Sequence, residues 1–469
     1  MSVEREIELS GQKGTLVNWQ AYGLNGIELQ VPPTVYPPRQ DTSLLDRVIA
    51  ELGPGQGRHL LEIGCGSGAI AISSAMRGWK VSACDINPLA IAATRGNASN
   101  HGLELDANVR EGGPGDIDLW QPKEGADVIV WNLPYIEPQE GERLGPMEDS
   151  ALIGTNESSE LLDTITSNPK MLNRGGIILM LHSSNQIGLN LTRDWRQAGC
   201  ATRNTRQKKI GDECLTVVAC WRPFESAQIR RVENCDSTND ELLNEEGGVQ
   251  GTFLSTEKQV LGRGYAGRDW INSQDGFMGS WLLSENSINR GSEYLQLAAN
   301  VAVLDTFSTA LKRGLPSHTW VNGSSLEEMG FRVKWPNDIW LRSESKFGKL
   351  CGILIEGRTR GDDVRIVLGI GINRYDVEKF EKSIGWDRLY PGDFDDIQPI
   401  IHASIASLLE VHPMVDDVSY NDILNSIYSV MRCTCSEGVP RAFGLDENGG
   451  LKTTQGVVRS TGEIEWEWS

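Results

Sequence analysis

The sequence predicts a mixed α/β protein in three successive parts: a doubly wound parallel sheet, an α+β unit and a small β module. In the first half, short apolar runs alternate with amphipathic stretches in strand–helix order, which is typical of a parallel sheet covered by helices. This alternation stops at Trp221-Arg222-Pro223, where proline ends the last strand. Late in the chain, short polar runs around Asn448-Gly449-Gly450 predict paired strands joined by a tight turn.

Each element of the first half is predicted from one run of residues. The strands are the apolar runs HLLEI, KVSACDI, DVIVWN, GGIILMLH and LTVVACW at residues 59–63, 80–86, 127–132, 175–182 and 215–221. Helices are predicted at residues 69–77, 88–97 and 161–172. Because strands and helices alternate, we expect the strands to lie parallel in one sheet.

The second half is predicted as an α+β unit followed by the small module. Strands are expected at residues 251–259, 279–284, 332–341, 351–355 and 364–373, and helices at 293–312, 397–410 and 421–431. Lys346 and Lys349 are expected in the loop between the third and fourth of these strands. The predicted domains are residues 1–222, 228–431 and 432–469.

Composition excludes several classes of function. The chain has 469 residues and a net charge of −20, from 44 Lys and Arg against 64 Asp and Glu. Non-specific binding to nucleic acid or to anionic membranes requires the opposite sign of charge, so neither is expected. No signal peptide is apparent and no apolar run approaches the ~20 residues of a membrane span, which predicts a soluble, cytoplasmic protein. The nine cysteines form no CxxC pair, and the lone Cys433/Cys435 pair predicts no metal site.

The first candidate site is a glycine-rich turn after the first strand of the predicted sheet. Glu62, Gly64, Gly66 and Gly68 lie in one short run between a strand and the helix that follows it. Glycine lets the backbone approach a ligand closely at the N-terminus of a helix. Asp85 ends the next strand, where a carboxylate can accept hydrogen bonds from ribose hydroxyls. NAD-dependent enzymes share this pattern, and a plain strand–helix turn would also explain it.

A second motif, Asn132-Leu133-Pro134-Tyr135, follows the apolar run DVIVW and is of the Asn-x-Pro-Tyr type. An asparagine side-chain oxygen and a backbone carbonyl can hold both hydrogens of a planar –NH2 group, while the aromatic ring stacks on that group. The nitrogen lone pair then points at a methyl donor, and no strong general base is required. The alternative is a proline turn with a buried tyrosine. The two motifs in this order favour methyl transfer.

Residues 27–222 resemble the HemK-type N-methyltransferases, a class I methyltransferase family with a Rossmann-like sheet that methylates a glutamine amide of translation release factors. Val35, Tyr36, Pro38 and Asp41 match the lead-in of the archaeal and eukaryotic branch. The resemblance implies S-adenosylmethionine as the cofactor. It implies cofactor binding by Glu62, Gly64, Gly66, Gly68 and Asp85, and acceptor binding by the catalytic residues Asn132, Pro134 and Tyr135.

Three positions depart from that family pattern and leave the methyl acceptor open. Pro37 and Gln40 replace the usual glutamates, and Leu133 replaces the usual first proline of the tetrapeptide. The same tetrapeptide occurs in methyltransferases that act on amino groups of DNA or RNA. A nucleic-acid substrate therefore remains an alternative to a release factor, as does an inactive docking or regulatory module.

Four separated segments of the second half carry residues typical of a site that handles a carboxylate and a nucleotide. They are Asp236-Ser237-Thr238-Asn239, the glycine-rich run from Gly262 to Trp270, the run Lys334-Trp335-Pro336-Asn337-Asp338 with Lys349, and Gly369-Ile370-Gly371-Ile372-Asn373. The glycine-rich run contains two arginines and can close over an anion as a ligand arrives. The first segment alone would be explained by helix capping. Four segments together favour a functional site.

Residues 228–469 resemble the biotin protein ligases through the patterns S-T-N, G-R-G-x-x-G-R-x-W, K-W-P-N-D, K-x-x-G-I-L and G-x-G-I-N. The resemblance implies a biotin/lipoate ligase-like catalytic fold with an SH3-like C-terminal module. It also implies a two-step reaction, in which ATP with Mg²⁺ and biotin give biotinyl-5′-AMP, and a lysine of a biotin carboxyl carrier domain then takes the biotinyl group. Lipoate ligases share the fold but carry a different arginine–glycine loop. Some biotin ligases are also repressors, but residues 1–222 show no helix-turn-helix.

The same resemblance implies roles for individual residues. Lys349 is expected to bridge the biotin carboxylate and the α-phosphate as the catalytic cation. The biotin site is expected to comprise Ser237, Thr238, Gln259, Arg263, Gly369 and Gly371. The ATP and adenylate site is expected to comprise Arg263, Arg268, Trp270, Lys334, Asn337, Asp338, Asn373 and Trp386. Tyr265 stands where the family usually has an arginine linked to adenylate retention, so we expect either looser retention here or a tyrosine that substitutes for the arginine by stacking.

Overall fold

The computed structural model describes residues 13–105, 108–114, 120–134, 157–184, 186–264, 267–312, 323–344, 346–392, 394–430 and 442–459. It divides into two compact units, one drawn from residues 1–195 and 202–221 and the other from residues 196–201 and 222–469. The predicted boundary at residue 432 lies outside the described residues, so the division into three domains stays a prediction. Within the described part of the chain, no helix is long and apolar enough to cross a membrane.

The first unit is built on a seven-stranded sheet, with a separate two-stranded hairpin before it. Its elements in chain order are β1 Thr15–Trp19, β2 Ile27–Val31, α1 Gln40–Glu51, β3 His59–Ile63, α2 Ala69–Met76, β4 Lys80–Asp85, α3 Pro88–Asn100, β5 Val109–Glu111, β6 Ala126–Asn132, α4 Glu157–Ser167, β7 Leu172–His182, α5 Gln186–Gln197, β8 Ala201–Ile210 and β9 Glu213–Trp221. Strand β3 is buried along its whole length, as expected for a central strand covered on both faces.

The strand order of this sheet is β5-β4-β3-β6-β7-β9-β8. Strands β5, β4, β3, β6 and β7 are parallel, which confirms the predicted doubly wound α/β sheet. The prediction was wrong for β9, which pairs antiparallel with β7. Only two residues separate β8 from β9, and so short a connection can form a hairpin but not the crossover that parallel strands require.

The second unit contains a seven-stranded sheet of order β10-β11-β12-β16-β15-β14-β13 and, later in the chain, a three-stranded sheet. Its elements are β10 Ile229–Cys235, α6 Thr238–Asn244, β11 Phe253–Gln259, β12 Phe277–Leu282, α7 Ser292–Ala310, α8 Gly323–Glu328, β13 Phe331–Lys334, β14 Asp338–Arg342, β15 Phe347–Arg360, β16 Asp363–Ile372, α9 Ile397–Leu409, α10 Tyr420–Val430, β17 Ala442–Leu445, β18 Leu451–Thr453 and β19 Gly456–Val458. Only β10 and β11 are parallel neighbours among the described pairs of the larger sheet.

Two predictions about the second unit were wrong in the region that carries the candidate site. The single strand expected at residues 332–341 is a hairpin, in which β13 and β14 pair antiparallel around a turn. Pro336 lies in that turn, where its lack of an N–H removes no ladder hydrogen bond. Lys349 lies within β15 rather than in a loop, because β15 begins four residues earlier than expected. The lysine is therefore held by a strand.

The three-stranded sheet of β17, β18 and β19 forms the described part of the C-terminal module. Its turn is tied to the β13–β14 hairpin, because the Trp335 indole N–H donates to the carbonyl oxygen of Gly449 at 3.0 Å. Gly449 has a φ of +79°, and a Cβ there would meet the Tyr420 hydroxyl at 2.8 Å. A glycine is thus required at the point of contact. The SH3-like character of the module stays a prediction.

Candidate functional sites

In the first unit, the glycine-rich turn and Asp85 lie at the carboxyl edge of the parallel sheet. Gly64, Gly66 and Gly68 have φ values of +70°, +54° and +84°, in the left-handed region that favours glycine. The Asp85 carboxylate accepts hydrogen bonds from the backbone N–H groups of Gly66 and Asn87, both at 2.9 Å. Asp85 therefore fixes the turn while facing the same edge, which is where ligands bind in open α/β sheets.

Two carboxylates at this turn are buried, and the hydrogen-bond donors among the described residues do not fully compensate for their loss of water. Burial raises the pKa of Glu62 well above its ordinary value, outweighing a hydrogen bond from the Ala71 backbone. Its Oε2 atom has no hydrogen-bond partner among the described residues. Burial also raises the pKa of Asp85, despite the backbone hydrogen bonds that it accepts. A ligand with hydroxyl or ammonium donors would satisfy both groups, so the donor set fits S-adenosylmethionine.

Asn132 ends β6, next to the glycine-rich turn across the β3–β6 pair. Its Nδ2 atom donates to Asp41 Oδ2 at 3.0 Å. Because a carboxylate only accepts, this contact fixes the orientation of the amide and leaves Asn132 Oδ1 as an acceptor. That oxygen is buried and has no hydrogen-bond partner among the described residues. It is placed to receive an N–H group from a substrate.

Asp41 is the functional candidate that sequence reasoning missed in this unit. It is 2% exposed, in the first turn of α1, and also accepts from the Tyr36 hydroxyl at 3.0 Å and the Thr42 backbone N–H at 2.6 Å. Asp41 and Tyr36 had been noted only as part of the family lead-in. Pro134 is buried beside Asn132, whereas Tyr135 lies outside the described residues.

In the second unit, one pocket brings together all the residues predicted to bind biotin. It is lined by Ser237, Thr238, Asn239, Gln259, Arg263, Gly264, Trp270, Asn337, Lys349, Gly352, Ile353, Leu354, Gly369, Ile370 and Gly371. These residues come from the start of α6, the end of β11, the glycine-rich loop, the β13–β14 turn and the paired strands β15 and β16. Four segments that are distant in sequence therefore converge on one space.

The polar wall of this pocket is formed by the start of α6 and the end of β11. Ser237 is the N-cap residue of α6, yet its side chain makes no capping hydrogen bond. Thr238 donates its backbone N–H to Gln259 Oε1 at 2.8 Å, and its hydroxyl lies 3.1 Å from the same oxygen. Ser237 and Thr238 are 3% and 4% exposed. Since no capping hydrogen bond occupies the Ser237 side chain, the ligand-binding explanation is favoured over the structural one for this residue.

The Trp270 indole covers the glycines that form the floor of the pocket. A Cβ at Gly371 would lie 2.5 Å from the Trp270 ring, and one at Gly352 would lie 2.7 Å from it. Only glycine permits this close approach. The remaining cavity is about 40 Å³, room for one or two water molecules. We therefore expect Trp270 to move when a bicyclic ligand enters.

A cluster of cations borders the pocket at β15 and the β13–β14 turn. Lys349 Nζ lies 2.7 Å from Asp338 Oδ1 and 5.2 Å from the centre of the Trp270 ring. Burial lowers the pKa of Lys334, the nearby Lys349 and Arg268 lower it further, and Asp338 opposes them. Like charges crowded in this way favour an anion between them. Among the described residues, no group of three or more His, Cys, Asp and Glu side chains is placed to hold a metal ion.

The glycine-rich loop folds back on itself above the pocket. Gly264 N–H donates to the Arg268 carbonyl oxygen at 2.6 Å, and Trp270 N–H donates to the Gly262 carbonyl oxygen at 2.8 Å. Arg263 Nη2 lies 2.6 Å from Asp240 Oδ1 and 3.0 Å from Glu356 Oε1. The guanidinium is therefore held by two carboxylates at the rim. Arg268 is exposed, and Tyr265 lies outside the described residues.

Two residues predicted for the ATP and adenylate site are placed in structural roles. Trp386 is completely buried and packs against Phe307, Phe331, Tyr390 and Phe394, so its ring faces are occupied by core side chains. The structure thus contradicts the prediction that Trp386 contacts the nucleotide. Asn373 is 3% exposed, and its amide contacts the backbone of Ser273 and Lys349 at 3.3 Å.

The link between Trp335 and Gly449 predicts a stability effect. Replacing Trp335 with phenylalanine removes the indole donor and leaves the buried Gly449 carbonyl without its partner, so the second unit should lose about 1–3 kcal/mol. Trp386→Phe is the matched control, since it removes the same volume from a buried indole whose N–H has no partner among the described residues. Urea unfolding of both variants measures the difference. Equal losses would contradict a stabilising contact between hairpin and module.

Comparison with known proteins agrees with this division of the chain. Residues 43–134 match the family model described as ribosomal protein L11 methyltransferase (PrmA), and residues 230–373 match the biotin/lipoate A/B protein ligase family. A putative protein N5-glutamine methyltransferase of Methanocaldococcus jannaschii is 29% identical over 202 residues, which cover 42% of this chain and 98% of that protein.

Two curated relatives match the second half. The biotin–[acetyl-CoA-carboxylase] ligase of Paracoccus denitrificans is 31% identical over 140 residues, covering 29% of this chain and 51% of the relative. The bifunctional ligase/repressor BirA of Escherichia coli is 34% identical over 160 residues, covering 32% of this chain and 42% of the relative. The chain thus spans about half or less of the length of these ligases. Both resemblances seen in the sequence are confirmed: the chain is a fusion of a glutamine-methyltransferase-like N-terminal region with a biotin/lipoate ligase-like C-terminal domain.

Proposed function

We propose that the second half is a biotin protein ligase. The observation that carries this proposal is that Lys349, beside the cation cluster, lines the same pocket as the polar wall of Thr238 and Gln259. A ligand with a polar ring at one end and a carboxylate at the other would reach the wall and the lysine together. That is the chemistry of biotin.

The proposed reaction proceeds in two balanced steps. A biotin carboxylate oxygen attacks the α-phosphorus of ATP, the bond from that phosphorus to the bridging oxygen breaks, and pyrophosphate leaves. A lysine amine of a carrier domain then attacks the acyl carbon, AMP leaves with the electron pair of the broken bond, and the amine loses a proton. Mg²⁺, when bound, would neutralise phosphate charge.

The residues of this chain solve an electrostatic problem, because a carboxylate and a phosphate repel each other. Lys349 would bridge the two anions once they displace its contact with Asp338. Lys334 and Arg268 would add positive charge near the phosphates, and Asn337 lines the same pocket. Catalysis would come from positioning and from preorganised charge, with no covalent intermediate on the protein.

Biotin-dependent release of pyrophosphate from ATP tests the first step directly. The full-length protein is incubated with ATP, Mg²⁺ and biotin, with lipoate in a parallel reaction, and then with a biotin carboxyl carrier domain. We expect pyrophosphate with biotin only, followed by biotin on one carrier lysine. Pyrophosphate release with lipoate but not with biotin would identify the second half of the protein as a lipoate ligase instead.

We further propose that the first half transfers a methyl group from S-adenosylmethionine to a planar amide nitrogen, with a glutamine of a release factor as the favoured acceptor. The observation that supports this is the orphaned Asn132 Oδ1, which Asp41 fixes as an acceptor at the edge that carries the glycine-rich turn. An amide –NH2 held there would point its lone pair at the methyl donor. As the new N–C bond formed, the methyl–sulfur bond would break, S-adenosylhomocysteine would leave, and the methylated nitrogen would release one proton. The names of the relatives agree on methyl transfer but differ on the acceptor.

Labelled S-adenosylmethionine identifies the acceptor. The full-length protein is incubated separately with release factor, ribosomal protein L11, DNA and RNA, and the label is located on the product. We expect label on a release-factor glutamine. Label on nucleic acid would reassign the acceptor, and binding of S-adenosylmethionine without any labelled product would favour a docking module.

Replacing Asp85 with alanine should weaken S-adenosylmethionine binding by about tenfold or more, because a charged hydrogen-bond acceptor contributes about 1.5–3 kcal/mol. The variant also loses the contact that shapes the glycine-rich turn at Gly66. Equilibrium dialysis with labelled cofactor measures the change. Asp163→Ala, at an exposed position on α4, is the control and should bind normally. Unchanged binding by the Asp85 variant would contradict the assigned cofactor site.

A further inference from the structure

A network of polar groups runs from the partly exposed pair Arg263–Glu356 to the buried side chains of Asn239, Ser280 and Thr238. Glu356 on β15 is paired with Arg263 and accepts a hydrogen bond from Asn239 Nδ2 at 2.7 Å. The Ser280 hydroxyl lies 2.6 Å from Asn239 Oδ1 and 2.7 Å from the Thr238 hydroxyl. Ser280 is 0% exposed and does not line the pocket. The groups connect four elements of the fold.

Because each hydroxyl has only one proton to donate, the hydrogen bonds of this network can be assigned a direction. A carboxylate only accepts, so the –NH2 group of Asn239 must face Glu356 and its Oδ1 atom must face Ser280. Oδ1 carries no proton, so Ser280 donates its single hydroxyl proton there. The Thr238 hydroxyl proton can then serve either Ser280 at 2.7 Å or Gln259 Oε1 at 3.1 Å. We assign it to Ser280, because two hydroxyl oxygens 2.7 Å apart with no proton between them would repel each other more strongly than the pair at 3.1 Å. Each donation polarises the next, since buried hydrogen bonds in series strengthen one another.

The direction decides what Thr238 can offer a ligand. With its proton committed to Ser280, the Thr238 hydroxyl presents lone pairs to the pocket, 3.1 Å from the oxygen of Gln259. Two acceptor oxygens so close repel each other until a donor comes between them. The wall therefore requires an N–H group, and a ligand that offers another acceptor there would leave buried groups unpaired.

We propose that Glu356 and Ser280 are specificity-determining positioning residues, which set Thr238 as an acceptor and so select a ligand with an N–H group at the wall, such as a cyclic urea. This rests on the proposed ligase function and extends it to residues that touch no substrate. Glu356 provides the fixed charge at one end, and Ser280 transmits the direction.

The test compares biotin with its two isosteric cyclic carbamates, in each of which one ureido N–H is replaced by an oxygen. Isothermal titration calorimetry on the full-length protein gives the affinity ratio. We expect the wild type to prefer biotin over the carbamate that lacks the N–H at the wall by about 100-fold or more. In Ser280→Ala the Thr238 proton is released and can be donated to that oxygen, so the ratio should fall by about tenfold or more.

Matched variants separate this effect from general loss of structure. Ser255→Ala removes another buried hydroxyl of the same sheet, one that approaches only a backbone carbonyl, and should keep the wild-type ratio. Glu356→Gln removes the charge from Asn239 and should lower the ratio by about threefold or more. Asp240→Asn, like Glu356→Gln, weakens one of the two ion pairs that hold Arg263, but it does not touch Asn239. The affinity ratio of this variant should therefore stay within about twofold of the wild-type ratio.

The outcomes distinguish this proposal from the ligase function itself. An unchanged ratio in both Ser280→Ala and Glu356→Gln, with biotin still bound, would overturn the proton direction alone. If Ser280→Ala does not fold, the Glu356→Gln and Asp240→Asn pair decides the question. Absence of biotin binding by the wild type would overturn the ligase function and this proposal with it.

Discussion

Replacing Lys349 with methionine should lower biotin-dependent pyrophosphate release by about 10²–10³-fold, the effect typical of removing one preorganised charge from a transition state. Methionine keeps the length and apolar stem of the side chain but removes the ammonium that would bridge two anions. Biotin affinity should fall far less, since Thr238 and Gln259 still form the polar wall. A pyrophosphate assay at saturating substrates and a separate biotin titration measure the two effects.

Lys346 provides the matched control for this variant. It lies three residues earlier and pairs with Asp376 at 2.9 Å, outside the residues that line the pocket. Lys346→Met also removes one charge from the same region, yet it should retain a rate within about threefold of the wild type because the paired carboxylate is partly exposed. Equal losses in both variants would mean that Lys349 acts only through the general field, and an active Lys349→Met would remove it from the catalytic role.

Replacing Asp41 with asparagine should lower methyl transfer by about 100-fold or more while leaving S-adenosylmethionine binding nearly unchanged. An asparagine at this position can donate its own –NH2 group to Asn132 Oδ1 and turn the Asn132 amide around. The –NH2 group of Asn132 would then face the N–H of the acceptor, and the loss corresponds to one misplaced charge-assisted contact in the transition state. Initial rates with the identified acceptor and cofactor dialysis provide the two readouts.

Glu51 is the control on the same helix. Its side chain is 37% exposed, and Glu51→Gln should keep the wild-type rate of methyl transfer. If Asp41→Asn weakens cofactor binding as much as it lowers the rate, the carboxylate supports the fold of the site rather than the orientation of Asn132. Full activity of Asp41→Asn would contradict the assigned role of the orphaned amide oxygen.

Local sequence patterns predicted most of the helices and strands. They failed where the direction or the end of a strand depends on the strand that pairs with it. The run HLLEI forms the strand at the predicted bounds, because five consecutive buried positions between glycine-rich turns leave few alternatives. The direction of β9 depends on β8, which was not recognised because its polar residues show no clear alternation. Likewise, residues 332–341 were predicted as one strand, although proline is disfavoured inside a strand, and only the pairing of β13 with β14 shows the break at Pro336.

The sites were predicted where residues form motifs and missed where a residue acts through another one. Thr238, Gln259 and Lys349 belong to recognisable runs, and the structure places them on one pocket. Ser280 and Glu356 stand in ordinary strand sequence, and only their distances to Asn239 reveal a role. Trp386 was wrongly assigned because burial of an aromatic ring in a core cannot be distinguished from ligand stacking in a single sequence.

The position of Trp270 over Gly371 has a consequence for the rate at which this pocket fills. Since the indole lies against Gly371, we expect an encounter with a ligand to be productive only when the side chain has left this position. Association should therefore become independent of ligand concentration once encounters outpace the opening of the loop. The measured binding free energy is then the difference between two terms: the free energy that the ligand gains by packing on Gly352 and Gly371, and the free energy lost when the Trp270 indole leaves them.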